Sequence, residues 1–237
     1  MKHWRYFIIA LSLLTLCSCS SFESDDLIID EVGEECALND IYVDEFGNEG
    51  VIAYIYDEGG WRFVIAISAD EGYKPWGPMG EAVYKVDSID FDTTANHLLF
   101  SHPTFGLMML QSMKSMGINR FPAQQWCDSK NQGDPYPNAA SWRLPTLEEW
   151  LMIIKNTGLN DALVSIGGTP LDNNHLYWTC IEDLEGYVTL HDSTTTYDRE
   201  NRAILLDPTA HTNHDKDFWL KKNNYYVRAI KYVYYKF

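Results

Sequence analysis

The sequence predicts an α+β fold in which helices lie on one side of an antiparallel sheet. Three observations carry that expectation. Residues 50–57 and 61–68 are rich in β-branched and aromatic side chains and are separated by Glu58, Gly59 and Gly60, the pattern of a hairpin. Helical spacing of apolar residues is confined to the middle of the chain, and the last third returns to β-rich runs. Runs of strands followed by helices and then more strands belong to α+β architectures rather than to alternating α/β ones.

The first eighteen residues set the compartment. Lys2, His3 and Arg5 precede an apolar run over 6–16 that is too short to anchor in a bilayer, so 1–18 reads as a signal peptide. Leu16, Cys17, Ser18 and Cys19 resemble a bacterial lipobox, in which the cysteine after small residues is lipidated and becomes the new N-terminus. Cys19 fits that position better than Cys17, because Leu16 is a bulky residue to stand directly before the cut. A simple secretory signal with two incidental cysteines is the plainer alternative. The acidic stretch after Cys19, with Glu23, Asp25 and Asp26, resembles the export signal of lipoproteins carried to the outer face of the outer membrane in Bacteroidetes-type bacteria. The expected location is therefore the outer membrane, facing outward.

Cleavage removes Lys2 and Arg5 from 18 basic residues and nothing from 34 acidic ones, which moves the net charge from −16 to about −18. Such a surface repels nucleic acid and sulfated polyanions, whose binding needs a basic footprint. Residues 19–46 are acidic and without sustained period, as in a tether, and a single folded domain is expected over 47–237. Within it Cys127 and Cys180 either pair, leaving Cys36 free, or all three remain buried thiols.

The domain opens with the hairpin, whose near-continuous apolarity predicts burial on both faces. Residues 69–80 hold Pro75, Trp76, Gly77, Pro78 and Gly80, a density of breakers that predicts an ordered loop. A methionine-rich helix is expected over 104–116, with Leu107, Met108, Leu110 and Met113 in the core, and a second over 122–130 with Pro122 in its first turn and Trp126 and Cys127 facing inward. The organising element follows: Trp142, Arg143, Leu144, Pro145, Thr146, Leu147, Glu148, Glu149 and Trp150. Pro145 pushes Leu144 to extended geometry, and Thr146 with Glu149 three residues later forms a capping box, so a helix is expected over 147–156 with Leu147, Trp150, Leu151 and Ile154 on one face. A short helix over 160–166 stops at Gly167 and Gly168, and strands are expected over 176–180, 186–191, 202–207 and 225–234.

Taken in order, 50–57, 60–66, Pro75-Trp76-Gly77, 123–127, 142–150, Tyr177, Trp178 and Thr179, and then Tyr226, Val227, Arg228, Ala229 and Ile230, resemble the family typified by the C-terminal domain of the Legionella collagen-like adhesin and the Fibrobacter succinogenes major paralogous domain. The resemblance covers about 47–235. It implies a C-type-lectin-like fold related to the sulfatase-modifying domain. Thr179 and Cys180 stand where the family often has two serines after the Tyr-Trp pair.

Three classes of function are compatible with the sequence. A surface lipoprotein whose lectin-like domain binds a protein or neutral glycan, in adhesion or envelope assembly, is the first. A structural envelope lipoprotein without a discrete ligand is the second, and an enzyme of the sulfatase-modifying type is the third. That enzyme chemistry needs a close, accessible cysteine pair, whereas Cys127 and Cys180 are isolated in the sequence. The calcium and sugar motifs of C-type lectins do not occur, although Asp172 and Asn173 carry oxygen ligands in a turn-forming run, and no cofactor is called for. Trp76 and Trp219 are candidate solvent-facing rings for ligand contact. His211, His214, Asp215 and Asp217 are metal-ligand types within seven residues, weighed against a solvated connector. Of Arg143 and Arg228, both in strand-like apolar settings, at least one is expected to be buried on a carboxylate or on backbone carbonyls, with Glu149 or Glu182 as acceptors, the alternative being a guanidinium presented to an anionic ligand.

Overall fold

The computed structural model describes residues 36–58, 61–83, 103–132, 138, 140–182, 201–209 and 218–236. The signal peptide, Cys19 and the acidic stretch that follows it, the strand expected over 186–191, and the His211, His214, Asp215 and Asp217 cluster lie outside them.

Among the described residues nine strands form two sheets rather than one, accompanied by four α-helices. Strands β1 (Ile41–Val43), β2 (Glu49–Glu58), β3 (Trp61–Ser68) and β9 (Ile230–Lys236) form the first, in the order β1-β2-β3-β9, with every neighbour antiparallel. The second holds β4 (Gly72–Pro75), β8 (Asn224–Val227), β5 (Tyr177–Glu182), β6 (Arg202–Leu206) and β7 (Phe218–Leu220), in the order β4-β8-β5-β6-β7. Its β5 and β8 run parallel, and its other pairs are antiparallel. The helices are α1 (Pro103–Met116), α2 (Pro122–Asp128), α3 (Leu147–Ile153) and α4 (Leu159–Ser165). The architecture is α+β, but the helices are not confined to one side of a single sheet: α3 touches β2 of the first sheet and β5 and β6 of the second.

The β2–β3 hairpin is in register to its end, with Glu58 opposite Trp61, and its inner half is buried on both faces, as in Val51, Ile52, Ala53, Val64, Ile65, Ala66 and Ile67. Three strands, β1, β4 and β7, appear where none was expected. The strand β1 lies in the stretch read as tether and pairs with β2, so folded chain begins before Gly47. The strand β4 lies in the Pro- and Gly-rich stretch, which is compatible with its place at a sheet edge. The closing run over 225–234 is not one strand. It breaks at Arg228 and Ala229, and its halves join different sheets. Of the methionine-helix residues, Leu110 and Met113 are buried, while Met108 faces out and Met109 takes its place in the core. In α2, Cys127 is buried and Trp126 only half-buried. Cys127 and Cys180 do not form a disulfide.

The helix α3 starts at a complete capping box. Thr146 accepts from the Glu149 N–H at 3.2 Å, and the Glu149 carboxylate accepts from the Thr146 N–H at 2.7 Å. The same carboxylate takes both ends of the Arg143 fork, Nη1 at 2.9 Å and Nη2 at 2.6 Å, and the Tyr232 hydroxyl at 2.8 Å. All three side chains are buried. Burial disfavours the Arg143 charge, yet Glu149 more than offsets it and holds the guanidinium firmly protonated; burial and Glu149 together push the Tyr232 phenol well up. Arg143 leaves no room on α1: a Cβ at Gly106 would meet its Nη1 at 2.2 Å. That residue has to be glycine for the helix to pass over the ion pair.

The tryptophans complete the frame, and each indole that is buried donates to a defined acceptor. Trp142 donates to Asp44 at 2.7 Å, Trp150 to the Trp178 carbonyl at 3.2 Å, and Trp178 to the Lys74 carbonyl at 2.9 Å. Asn131 brackets the Trp142 backbone, accepting its N–H at 2.7 Å and donating to its carbonyl at 3.0 Å. Asp44 also accepts the Phe46 and Asn48 N–H groups at 2.9 and 2.8 Å, so one carboxylate shapes the β1–β2 turn and anchors it to Trp142.

Two stability measurements follow. Glu149→Gln should cost about 3 kcal/mol or more, because it strands a buried guanidinium, whereas Thr146→Ala should cost about 1 kcal/mol through the cap alone. Denaturant midpoints compare them, and equal losses would show that the ion pair is not the dominant contact. The second concerns acid. Burial pushes the Asp44 carboxyl up, but its bonds to Trp142 and Asn48, with Lys231 nearby, bring it below the ordinary value. Its stabilisation is therefore complete above about pH 4 and lost as pH falls through the lower folded-state pKa. Asp44→Asn should be less stable than wild type at pH 7 and should lose less between pH 4 and pH 2. Parallel curves for the two proteins over that interval would refute the assignment.

Candidate functional site

The residues singled out in the sequence divide into those that hold the core and those that reach a surface. Trp142, Arg143, Leu144, Thr146, Glu149, Trp150, Tyr177, Trp178 and Arg228 are all buried. Arg228, where β8 leaves for β9, donates Nη1 to the Ser68 and Ala69 carbonyls at 2.8 and 2.9 Å and Nη2 to the Thr169 carbonyl. Its acceptors are carbonyls, and the Glu182 considered for it instead pairs with Lys221. Burial lowers the Arg228 pKa, with Glu71 acting in the other direction.

Trp76 is not a solvent-facing ring. It is fully buried, donates to the Thr179 carbonyl at 2.8 Å, meets Phe121 edge-on and carries the Lys221 ammonium 4.7 Å above its ring. The Pro and Gly residues around it turn the chain inward, so the ring fills core. Trp219 is placed on β7 opposite Ala203, and its side chain is outside the described set. Cys127 and Cys180 are fully buried, and burial pushes both thiols up, which suits packing and not nucleophilic chemistry. Among the described residues no group of three His, Cys, Asp or Glu side chains is placed to hold a metal.

Asp172 and Asn173 do reach a surface, and the fold brings other groups to them. Asp172 opens a turn in which its carboxylate accepts the Asn174 backbone and side-chain N–H groups at 2.8 and 2.9 Å, bonds that lower its pKa, and its carbonyl accepts the His175 N–H at 3.0 Å. The turn sets the His175 ring flat on Tyr226 of β8, with centroids 3.5 Å apart and planes 6° from parallel. Tyr226 also packs against Tyr73 on the edge strand β4, with centroids 4.9 Å apart, and Tyr73 is 55% exposed. Three rings thus form a ladder from the turn to the sheet edge.

Carboxylates flank the ladder. His175 Nδ1 lies 3.5 Å from Glu71 and Nε2 lies 3.6 Å from Asp172. Glu71 accepts the Tyr177 hydroxyl at 2.9 Å and lies 3.7 Å from Arg228 Nε, so the buried arginine balances its charge. The Tyr177 phenol is pushed up, by burial first and by Glu71 second. No side chain in this cluster is placed as a nucleophile. What it offers is an exposed aromatic face, hydrogen-bonding carboxylate and amide groups, and little net charge, the equipment of a binding surface.

Glu71, Tyr73, His175 and Tyr226 were not foreseen. The alternation through Tyr225 and Tyr226 is the signal that bears on them, since alternate residues of a strand face opposite ways. Tyr225 packs on Trp178 while Tyr226 packs on His175.

No family model matches the chain, and no curated protein matches it. Among solved structures it is similar to the crystal structure of a fimbrial protein from Bacteroides ovatus, with 11% sequence identity and a TM-score of 0.53. The match covers 83% of this chain and 48% of that one, so the chain spans about half the length of the fimbrial protein. At that identity the likeness is one of fold. If Tyr73 is held for a ligand and not for the core, Tyr73→Ala should cost less than about 1 kcal/mol, and Tyr226→Ala, which removes the ring between two others, about 2 kcal/mol or more. Thermal melts decide it; a loss at Tyr73 as large as that at Tyr226 would make the whole ladder structural.

Proposed function

We propose that this chain is a lipid-anchored protein of the bacterial outer membrane, facing outward, whose folded domain binds a protein or neutral glycan in adhesion or envelope assembly. The observation that carries the reading is the exposed Tyr73 face backed by Tyr226 and His175, with Asp172 and Asn173 on its rim. Aromatic faces stack on the apolar faces of sugars and on partner side chains, and adjoining carboxylates and amides fix orientation. The fold likeness to a fimbrial protein supports a role at the cell surface. The lipobox-like run ending at Cys19 supports anchoring through lipid.

Membership of the Legionella adhesin and Fibrobacter paralogous-domain family, with its C-type-lectin-like fold, is part of the proposal. It rests on the ordered motifs, of which Trp76, Trp142, Arg143, Trp150, Trp178 and Arg228 are buried. No helix among the described residues is long and apolar enough to cross a membrane. The acidic balance disfavours nucleic acid and sulfated glycans as partners.

Binding is tested by presenting the full chain, in detergent micelles, to arrays of neutral glycans and of host and envelope proteins. A specific signal lost in Tyr73→Ala supports the reading, and a signal unchanged in that variant would sink it. Anchoring is tested separately: Cys19→Ala should move the protein from the membrane to the soluble fraction with its thermal melt unchanged. Radiolabelled fatty acid incorporated at wild-type level in that variant would refute lipidation at Cys19.

A further inference from the structure

Four of the eight large apolar side chains that are exposed among the described residues crowd into and around β1: Leu38, Ile41, Val43 and Phe46, each 42–61% exposed. Strand β1 is the outer strand of its sheet. The Asp44 N–H donates to the Asn48 carbonyl at 3.1 Å and the Ile52 N–H to the Asp40 carbonyl at 2.9 Å, so the even-numbered residues of β1 bond to β2. By the alternation of an antiparallel ladder, the N–H and C=O groups of Ile41 and Val43 then point away from β2, along the free edge. Between them Tyr42 turns to the opposite face and packs on Trp142, with ring centroids 6.2 Å apart. Among the described residues no backbone group pairs with this outer side of Ile41 and Val43, and such a row beside two exposed β-branched side chains is a template for another strand.

The charge around this edge identifies the occupant. Asp40, Glu45 and Glu49 are exposed, and Asp44 is held ionised by its hydrogen bonds. The cation that faces them among the described residues is Lys231, 3.3 Å from Glu45 and 4.0 Å from Asp44, which leaves the edge net negative. A second copy is a poor fit. The antiparallel register that sets Ile41 opposite Val43 of another copy also sets Asp40 opposite Asp44, so like charges meet at both ends. We propose that the β1 edge docks an extended segment of a partner protein as an added strand, one with alternating apolar residues and Lys or Arg at its ends. Main-chain bonds to Ile41 and Val43 hold it, its apolar side chains cover theirs, and its cations meet Asp40, Glu45 and Glu49. This surface stands apart from the Tyr73 ladder, which belongs to the other sheet.

The test uses the full chain in detergent micelles and a fluorescent nonapeptide, Lys-Lys-Val-Thr-Val-Thr-Val-Lys-Lys, read by anisotropy. Two control peptides replace the lysines by glutamates or the central valine by proline. On the protein, Val43→Pro deletes an outward N–H and leaves the bonds to β2, and Ile41→Lys removes an apolar contact and adds one positive charge to the edge without touching the backbone. The lysine peptide should bind saturably, and each control peptide and each variant should weaken binding at least tenfold, with thermal melts of Ile41→Lys matching wild type. Equal binding of the proline peptide would reduce the effect to charge alone and overturn the proposal, as would undiminished binding by Ile41→Lys. Absence of saturable binding would also overturn it, and so would concentration-dependent self-association of the wild type that Ile41→Lys abolishes, since that gives the edge to a second copy.

Discussion

The Arg143–Glu149 pair is the constraint around which the rest of the structure is arranged. A guanidinium taken out of water is very costly unless every donor finds an acceptor. Here the cost is met by a carboxylate that simultaneously caps α3 and accepts from Tyr232 on β9. Three parts of the chain therefore meet at one pair of oxygens: the segment before α3, the helix start, and the last strand of the first sheet. The backbone of Arg143 exchanges two hydrogen bonds with Ile230, at 3.0 and 2.9 Å, which ties the same segment to the start of β9. A buried pair of this kind adds little net stability over well-packed apolar residues, whereas removal of one partner leaves an uncompensated buried charge.

Much of this frame was legible because its determinants are close in sequence. The capping box, the extended residue before Pro145 and the apolar face of α3 are short-range patterns, and the burial of Arg143 follows once Glu149 is fixed six residues away. The division of the last strand was not legible. Apolar and aromatic residues continue through 225–234, and the break is decided by carbonyls of Ser68, Ala69 and Thr169, which lie far away in sequence and capture the Arg228 fork. The reading of Trp76 as a surface ring failed for a related reason. Proline and glycine mark turns, but they do not say which way a turn faces, and Phe121 and Lys221 draw this one inward.

The Tyr73 ladder was illegible in a different way. Its rings come from β4, from the turn after α4 and from β8, and nothing local distinguishes them from other aromatic residues of the chain. Only Asp172 and Asn173 gave a sign, through their capacity to form a turn, and it is that turn which delivers His175 to Tyr226. A binding surface assembled from separate edges is set by topology, and sequence spacing carries little of it.

The passage of the chain from β8 to β9 has a consequence for how the molecule comes apart. The two residues at the crossing are fully buried, and Ala229 exchanges bonds with Ser68, its carbonyl accepting the Ser68 N–H and its N–H meeting the Ser68 hydroxyl. Separating the chain at that point takes the Arg228 guanidinium away from the Ser68, Ala69 and Thr169 carbonyls that satisfy it. The two sheets should then behave as one cooperative unit in native-state hydrogen exchange, with the slowest amides of both reporting the same global opening, while β1, tied by a single neighbour, exchanges ahead of them.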